Sequence, residues 1–211
     1  MAGKMPKCSD CHMLQPLCLC QEFVKIANKA KLVLLIHRSE LHKTSNSGRL
    51  ACSSLKNQEM HIVGDEVKPV NWQDLYLSDY ENLLLFPSEE ARVLSDEYVE
   101  TLQKPVRLIV LDGNWGQATR MHRRIKKANI AFKHVTLPRG NPSEYRLRTA
   151  PERPQGLSTL EAIARALSIL DGDKNIMSHL MQIFRIMVTR NLFARGKLSR
   201  DKVIGPAFEW P

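Results

Sequence analysis

The sequence predicts an α/β fold: a mostly parallel sheet with helices on both faces. Three observations carry that expectation. Short, almost wholly apolar runs recur at residues 31–36, 82–86 and 106–111, as strands buried on both faces require. Stretches with helical spacing of apolar residues lie between and after them. The two kinds of segment alternate along the chain, which calls for crossover connections and parallel pairing. A chain of 211 residues suits one domain with at most a small appendage.

The chain begins with four of its five cysteines inside thirteen residues: Cys8, Cys11, Cys18 and Cys20, spaced C-x2-C-x6-C-x-C, with Pro6 and Pro16 stiffening the segment. In a reducing compartment such a cluster reads as a metal site rather than two disulfides. Tetrahedral thiolate coordination favours zinc, an iron–sulfur cluster is the alternative, and a metal-free thiol cluster is the bland reading. A four-thiolate site keeps no open position and is structural. The expected division is a four-cysteine zinc-binding segment over 1–24 and a main domain over 25–211. Cys52 falls in a helical pattern and reads as a small buried apolar residue.

Residues 31–36 are expected as the first buried strand, ending at His37. A polar loop over 38–49 leads to a helix at 50–56 and a strand at 58–63, closed by Gly64-Asp65. Residues 72–77 suit neither helix nor strand clearly. A third strand is expected at 82–86, and Pro87-Ser88-Glu89-Glu90 resembles a helix entry. A helix over 95–103 precedes the strand at 106–112. The helix after it spans 115–127, and a further strand lies at 133–137. The proline-punctuated stretch 138–156 is a long loop, of the kind that is usually functional or disordered; Tyr145 and Leu147 argue for order. Ser158-Thr159-Leu160-Glu161 has the form of a capping box. Its helix carries Leu160, Ile163, Ala164 and Leu167 on one face. A last helix over 175–195 places Ile176, Leu180, Ile183, Phe184 and Met187 at helical spacing, and 190–202 reads as a basic tail.

The stretch 106–115 is the one the rest is organised around. Its strand ends in Asp112-Gly113-Asn114-Trp115: a carboxylate, a residue that permits a sharp turn, a helix cap and an indole. Ligands of open α/β sheets bind where such turns lie. Core packing is the competing reading for Trp115. The following helix carries Arg120, Arg123, Arg124, Lys126 and Lys127. Arg120, Arg124 and Lys127 fall at i, i+4 and i+7 and form one stripe. With a net charge of +9, that stripe points to an anionic partner, most simply nucleic acid, although a solvated helix face has the same pattern. His37 and Arg49 are candidates to extend it, and His37 also reads as a hydrogen-bonded loop residue. No apolar run approaches a membrane span, and the first residues lack the apolar core of a signal peptide. A cytoplasmic protein is expected.

Taken in order, the cysteine cluster, His37 with Arg38-Ser39-Glu40, Asn46-Ser47-Gly48-Arg49-Leu50, Asp112-Gly113-Asn114-Trp115, Tyr145-Arg146-Leu147-Arg148 and Ser158-Thr159-Leu160-Glu161-Ala162 resemble the DTW-domain family of tRNA-uridine aminocarboxypropyltransferases. The resemblance runs from Cys8 to about residue 170. One departure is that Asn114 stands where the family pattern has threonine; Asn also caps, but a role special to a hydroxyl is put in doubt. The resemblance implies a SPOUT-like domain with a C-terminal trefoil knot that binds S-adenosylmethionine. It also implies transfer of the 3-amino-3-carboxypropyl group to N3 of a tRNA uridine, releasing methylthioadenosine. On that basis Asp112 is the catalytic candidate, as base or as electrostatic partner of the sulfonium, and Trp115 would stack on adenine or uracil. The cofactor loops would comprise Leu85, Phe86 and Pro87, then Leu111 and Gly113, then the segment from Leu137 to Thr159 with Tyr145 and Arg148. Arg146 or Arg148 would pair with the cofactor carboxylate or with RNA phosphate. His37, Arg49, Arg120, Arg123, Arg124 and Lys127 would face RNA, and the cysteine cluster would brace the fold or extend that surface. The rival readings are a SPOUT-like RNA methyltransferase and a non-catalytic zinc-ribbon RNA-binding protein. The residues set neither the tRNA position nor an oligomeric state.

Overall fold

The computed structural model describes residues 5–147 and 156–210. Six strands form one parallel sheet: β1 (Lys31–His37), β2 (Gln58–Val63), β3 (Glu81–Leu85), β4 (Arg92–Val93), β5 (Val106–Asp112) and β6 (Lys133–Thr136). Their spatial order is β2-β1-β5-β3-β6-β4. β5 lies between two other buried strands, with Val110 opposite Leu34 of β1 and Leu85 of β3. Alternate side chains leave on opposite faces. Leu32, Leu34, Ile36, Leu108 and Val110 enter one apolar cluster; Val33, Leu35, Ile109 and Leu111 enter another. Both faces being covered, the middles of β1, β3 and β5 are apolar, which is why they read as near-continuous runs.

Three helices cover the first face: α1 (Ser47–Ser54), α4 (Thr159–Asp171) and α5 (Lys174–Ala194), through Leu50, Leu160, Ile163, Leu167, Leu180 and Phe184. The short α2 (Asp96–Glu100) leans on the same cluster through Tyr98 and Val99. α3 (Trp115–Lys127) covers the other face with Ala118, Met121 and Ile125. Each such buried aliphatic side chain contributes about 1.5–3 kcal/mol. Met13, Leu17 and Leu19 of the cysteine segment are buried in the first cluster as well, and Cys52 is buried in α1.

Helix starts follow their caps. Asn114 accepts from Gln117 N at 2.9 Å while Gln117 Oε1 accepts from Asn114 N at 2.7 Å, so α3 begins where expected. Ser158 and Glu161 close the same reciprocal box on α4, which ends at the left-handed Gly172.

Three local expectations need correction, and one ambiguity is resolved. α1 begins three residues before the helix expected at 50, because Asn46 accepts from Arg49 N at 2.8 Å and caps it. Pro87-Ser88-Glu89-Glu90 starts no helix: Ala91 N donates to Ser88 O at 3.0 Å, a turn that delivers the two-residue edge strand β4 to β6. Residues 72–77 hold only a short 3-10 turn, Gln73–Leu75. Arg190 lies inside α5 rather than in a basic tail; it is buried and donates to Cys18 O at 2.5 Å and Leu17 O at 3.4 Å. Residues 148–155 of the long loop expected over 138–156 lie outside the described residues. No helix among the described residues is long and apolar enough to cross a membrane.

Candidate active site

At the carboxyl end of the sheet, β5 ends in Asp112, only 4% exposed. Its Oδ2 accepts from Asn46 Nδ2 at 2.6 Å and its Oδ1 from Thr159 Oγ1 at 2.5 Å. Asn46 caps α1 and Thr159 is the first residue of α4, so one carboxylate joins a strand end to two helix N-termini. Those N-termini carry the positive ends of their dipoles, which favour a negative charge. They are also joined directly, Leu160 N donating to Ser47 Oγ at 3.3 Å. Contact is so close that a Cβ on Gly48 would lie 2.6 Å from Asp112 Cγ; no larger residue fits there. Burial raises the Asp112 carboxyl above its ordinary value, and the bonds from Thr159 and Asn46 offset part of that. No salt bridge among the described residues includes it. A buried carboxylate with no ion pair is costly to keep, and such groups concentrate at functional sites.

Beside it, Gln117 ties α3 to the end of β1. Its Nε2 donates to Ser39 Oγ at 2.9 Å and lies 3.2 Å from His37 Nδ1, to which Ser39 N also donates at 3.3 Å. With Nδ1 the acceptor, the ring proton sits on Nε2. Burial lowers the His37 pKa, and Arg120 and Arg124 lower it further against the pull of Glu40, so the ring is neutral at pH 7. Gly113 permits the turn, since a Cβ there would lie 2.8 Å from Gln117 Cβ.

Trp115 is not a core residue. It is 45% exposed and stacks on Phe86, ring centroids 5.4 Å apart and planes 16° apart. Of the other expected cofactor-loop residues, Leu111 is buried, Leu85 and Leu137 are half-buried and Pro87 is exposed. Tyr145 donates to Ser45 O at 2.8 Å and stacks on Phe184, tying the loop before α4 to the segment before α1. Leu147 is buried. Arg148 lies outside the described residues. Arg120, Arg123, Arg124 and Lys127 are all exposed. Arg49 differs from expectation: it is 8% exposed and donates to Asp10 O at 2.7 Å and Cys11 O at 2.8 Å, bracing the cysteine loop from within.

Three residues of this arrangement had no site role in the sequence reading: Asn46, quoted only within the stretch 46–50, Gln117, and Glu161 in its tertiary role. Glu161 is buried and accepts from Ser143 Oγ and Glu144 N, both at 2.7 Å, fastening the loop to α4. Only the capping-box part of Glu161's role had a local signal.

The four cysteine sulfurs lie within 4.8 Å of one another and could hold a metal ion. Cys8 and Cys20 are 3.6 Å apart, as are Cys11 and Cys18, close to the edge of about 3.8 Å in a tetrahedron with zinc–sulfur bonds of about 2.3 Å. Leu19 N donates to Cys11 Sγ at 3.4 Å and Cys20 N to Cys18 Sγ at 3.5 Å. The backbone N–H of Cys11 draws the Cys8 thiol down to about 7, while burial pushes Cys11 and Cys20 up. A cation among them is what allows all four to ionise together.

A parallel sheet with a buried carboxylate at its carboxyl edge, an exposed tryptophan on the next helix and a leading four-cysteine cluster are the structural features of this chain. The DTW domain model matches residues 5–192, and the chain belongs to the DTW-domain family. Two relatives are named tRNA-uridine aminocarboxypropyltransferase 2. The one from Macaca fascicularis is 27% identical over 213 residues, covering 96% of this chain and 70% of its own. The one from Mus musculus is 26% identical over the same shares. No solved structure matches.

Proposed function

We propose that this protein is a tRNA-modifying transferase that moves the 3-amino-3-carboxypropyl group of S-adenosylmethionine to N3 of a uridine. The single observation carrying the site assignment is Asp112, a buried carboxylate with no ion-pair partner among the described residues, at the sheet edge of a DTW-family chain. The relatives' names support aminocarboxypropyl transfer to tRNA uridine.

The residues present fit such a donor. A sulfonium is stabilised by a nearby carboxylate, the role proposed for Asp112, and an adenine stacks on an aromatic ring, the role proposed for Trp115, which is 45% exposed. When bound, the donor supplies an electrophilic carbon next to sulfur and a neutral leaving group, methylthioadenosine. In the transfer, N3 would form a bond to that carbon as the carbon–sulfur bond breaks, the sulfur keeping the electron pair, and the N3 proton would pass to water. Because both oxygens of Asp112 already accept hydrogen bonds, the geometry favours its electrostatic role over that of a freely approachable base. Asn46 and Thr159 fix the carboxylate's direction, and preorganised charge of this kind is the largest single source of rate enhancement in many enzymes.

The exposed Arg120, Arg123, Arg124 and Lys127 are the proposed tRNA phosphate contacts, with His37 Nε2–H beside them as a donor. Arg146, exposed on the loop before α4, and Arg148 are proposed to pair with the donor carboxylate. The four cysteines are proposed to hold a structural zinc. The chain is proposed to follow the SPOUT-like knotted path over its C-terminal half.

The test is by-product identification after incubation with S-adenosylmethionine and tRNA. Methylthioadenosine is expected. Adenosylhomocysteine would instead mean methyl transfer, and tRNA binding with neither by-product would mean a non-catalytic RNA-binding protein.

A further inference from the structure

On the α3 side of the sheet, outside the site described above, three side chains from three different elements converge. Glu90 comes from the loop after β3, His122 from α3 and His134 from β6. One ring nitrogen of each histidine and one carboxylate oxygen of Glu90 lie within 4.8 Å of one another. Glu90 Oε1 is 3.0 Å from His134 Nδ1, which also lies 3.0 Å from Ser88 Oγ. The two imidazoles meet edge to face with centroids 5.1 Å apart.

We propose that Glu90, His122 and His134 form a second metal site, for a divalent transition ion of the zinc class, separate from the four cysteines. Imidazole and carboxylate donors suit such an ion, and three protein ligands leave one position open.

Four further observations support the site. His122 is only 8% exposed, yet its Nε2 is buried with no hydrogen-bond partner. Buried polar atoms are nearly always paired, so this nitrogen needs an explanation. Burial lowers the pKa of both rings, His122 further through His134, which favours the neutral form that binds a metal. A cavity of about 350 Å³ lined by Glu90, Lys126, Phe132 and His134 opens beside two of the three ligands. Lastly, Lys126 Nζ sits 3.0 Å from Glu90 Oε1: the ammonium and a bound cation are alternative counterions for one carboxylate.

Ligand nitrogens and oxygens around zinc are about 3.4 Å apart at bond lengths near 2.1 Å, so the group must contract to bind. Glu90 lies on an exposed loop and is the residue free to move. Closure would also stiffen the active-site edge, since Phe86 stacks on His122 at 4.2 Å on its way to Trp115. The metal site itself does not depend on the proposed activity.

The test is titration of cobalt(II) into full-length protein whose cysteine site is already filled with zinc. A second equivalent is expected, with weak visible bands and no thiolate-to-cobalt charge transfer. Glu90→Gln should weaken it tenfold or more, and Lys126→Met should tighten it several-fold, because the competing ammonium is gone. His122→Ala should abolish it. Glu90 and Lys126 are exposed, so their variants keep the test valid even if His122→Ala fails to fold. Absence of the nitrogen–oxygen cobalt signal in the unaltered protein would overturn the proposal. So would a signal that Glu90→Gln and Lys126→Met leave unchanged.

Discussion

Asp112→Asn separates charge from shape at the centre of the site. The side chains are nearly isosteric, and Asn can occupy the same turn. In the variant the amide oxygen still accepts from Asn46 Nδ2, and the new NH2 faces Thr159 Oγ1, which can reverse its role and accept. Two hydrogen bonds to a charged group, each about 1.5–3 kcal/mol, become two neutral ones of about 1 kcal/mol each. Against that loss, the buried charge disappears, and its desolvation costs several kcal/mol. The two changes nearly cancel. The sign of the pH dependence follows from the raised carboxyl. A group whose pKa is higher folded than unfolded favours the folded state most when protonated, and that contribution is lost as pH rises through the folded value. Asn behaves as the permanently neutral form. Its melting temperature should therefore equal or exceed that of the unaltered protein at pH 7, with the gap closing as pH falls toward the ordinary carboxyl value of 3.8. Turnover on tRNA should nevertheless fall by about 10²-fold or more. Single-turnover assays at several pH values and parallel melting curves measure both. A loss of rate that higher pH does not rescue matches the electrostatic role; partial rescue would restore the base role. A variant that turns over at the normal rate would falsify the place given to Asp112, and one that is strongly destabilised at pH 7 would refute the cancellation.

The remaining predictions concern its surroundings. Gly48→Ala drives a Cβ to 2.6 Å from Asp112 Cγ. It should cost about 1–3 kcal/mol as overpacking and lower the melting temperature by a few degrees, with turnover falling alongside; a neutral melting curve would contradict the contact. Arg120→Glu with Arg124→Glu, both exposed, should weaken tRNA binding and flatten its salt dependence by between one and two units of slope, without changing stability; filter-binding titrations at several salt concentrations decide. Trp115→Ala should weaken binding of the stacked base by about 1–3 kcal/mol, while Trp115→Phe recovers most of it, as calorimetric titrations with donor and with tRNA separately would show. Metal analysis should find zinc bound through the four cysteines. Stripping it should lower the melting temperature, because Leu17 and Leu19 of that segment are buried in the main core.

What could be read from the sequence was what is encoded locally. β1, β3 and β5 were legible because a doubly covered strand is apolar through its middle. α3 and α4 were legible at their starts because Asn114 with Gln117, and Ser158 with Glu161, form caps within four residues. The cysteine cluster was legible because its ligands are close in sequence. The partners of Asp112 were not, since Asn46 lies 66 residues away and Thr159 lies 47 away, and no local pattern encodes that meeting. Arg49 and Arg190 misled for a related reason. A guanidinium reads as surface, but these two are buried to satisfy carbonyls of the cysteine loop, a demand invisible until the loop is folded. Pro87-Ser88-Glu89-Glu90 carried helix-entry residues, but no apolar helical face follows them to be buried. The Glu90–His122–His134 group drew its members from three elements and showed nothing in sequence.

The central claim is the identity of the transferred group and of its acceptor. Nucleoside mass analysis of tRNA after incubation with this protein and S-adenosylmethionine tests both at once. The expected product is a uridine heavier by one 3-amino-3-carboxypropyl group on N3, formed by the unaltered protein and nearly absent with Asp112→Asn. A methylated nucleoside, or tRNA unchanged by a folded and metal-loaded protein, would contradict it.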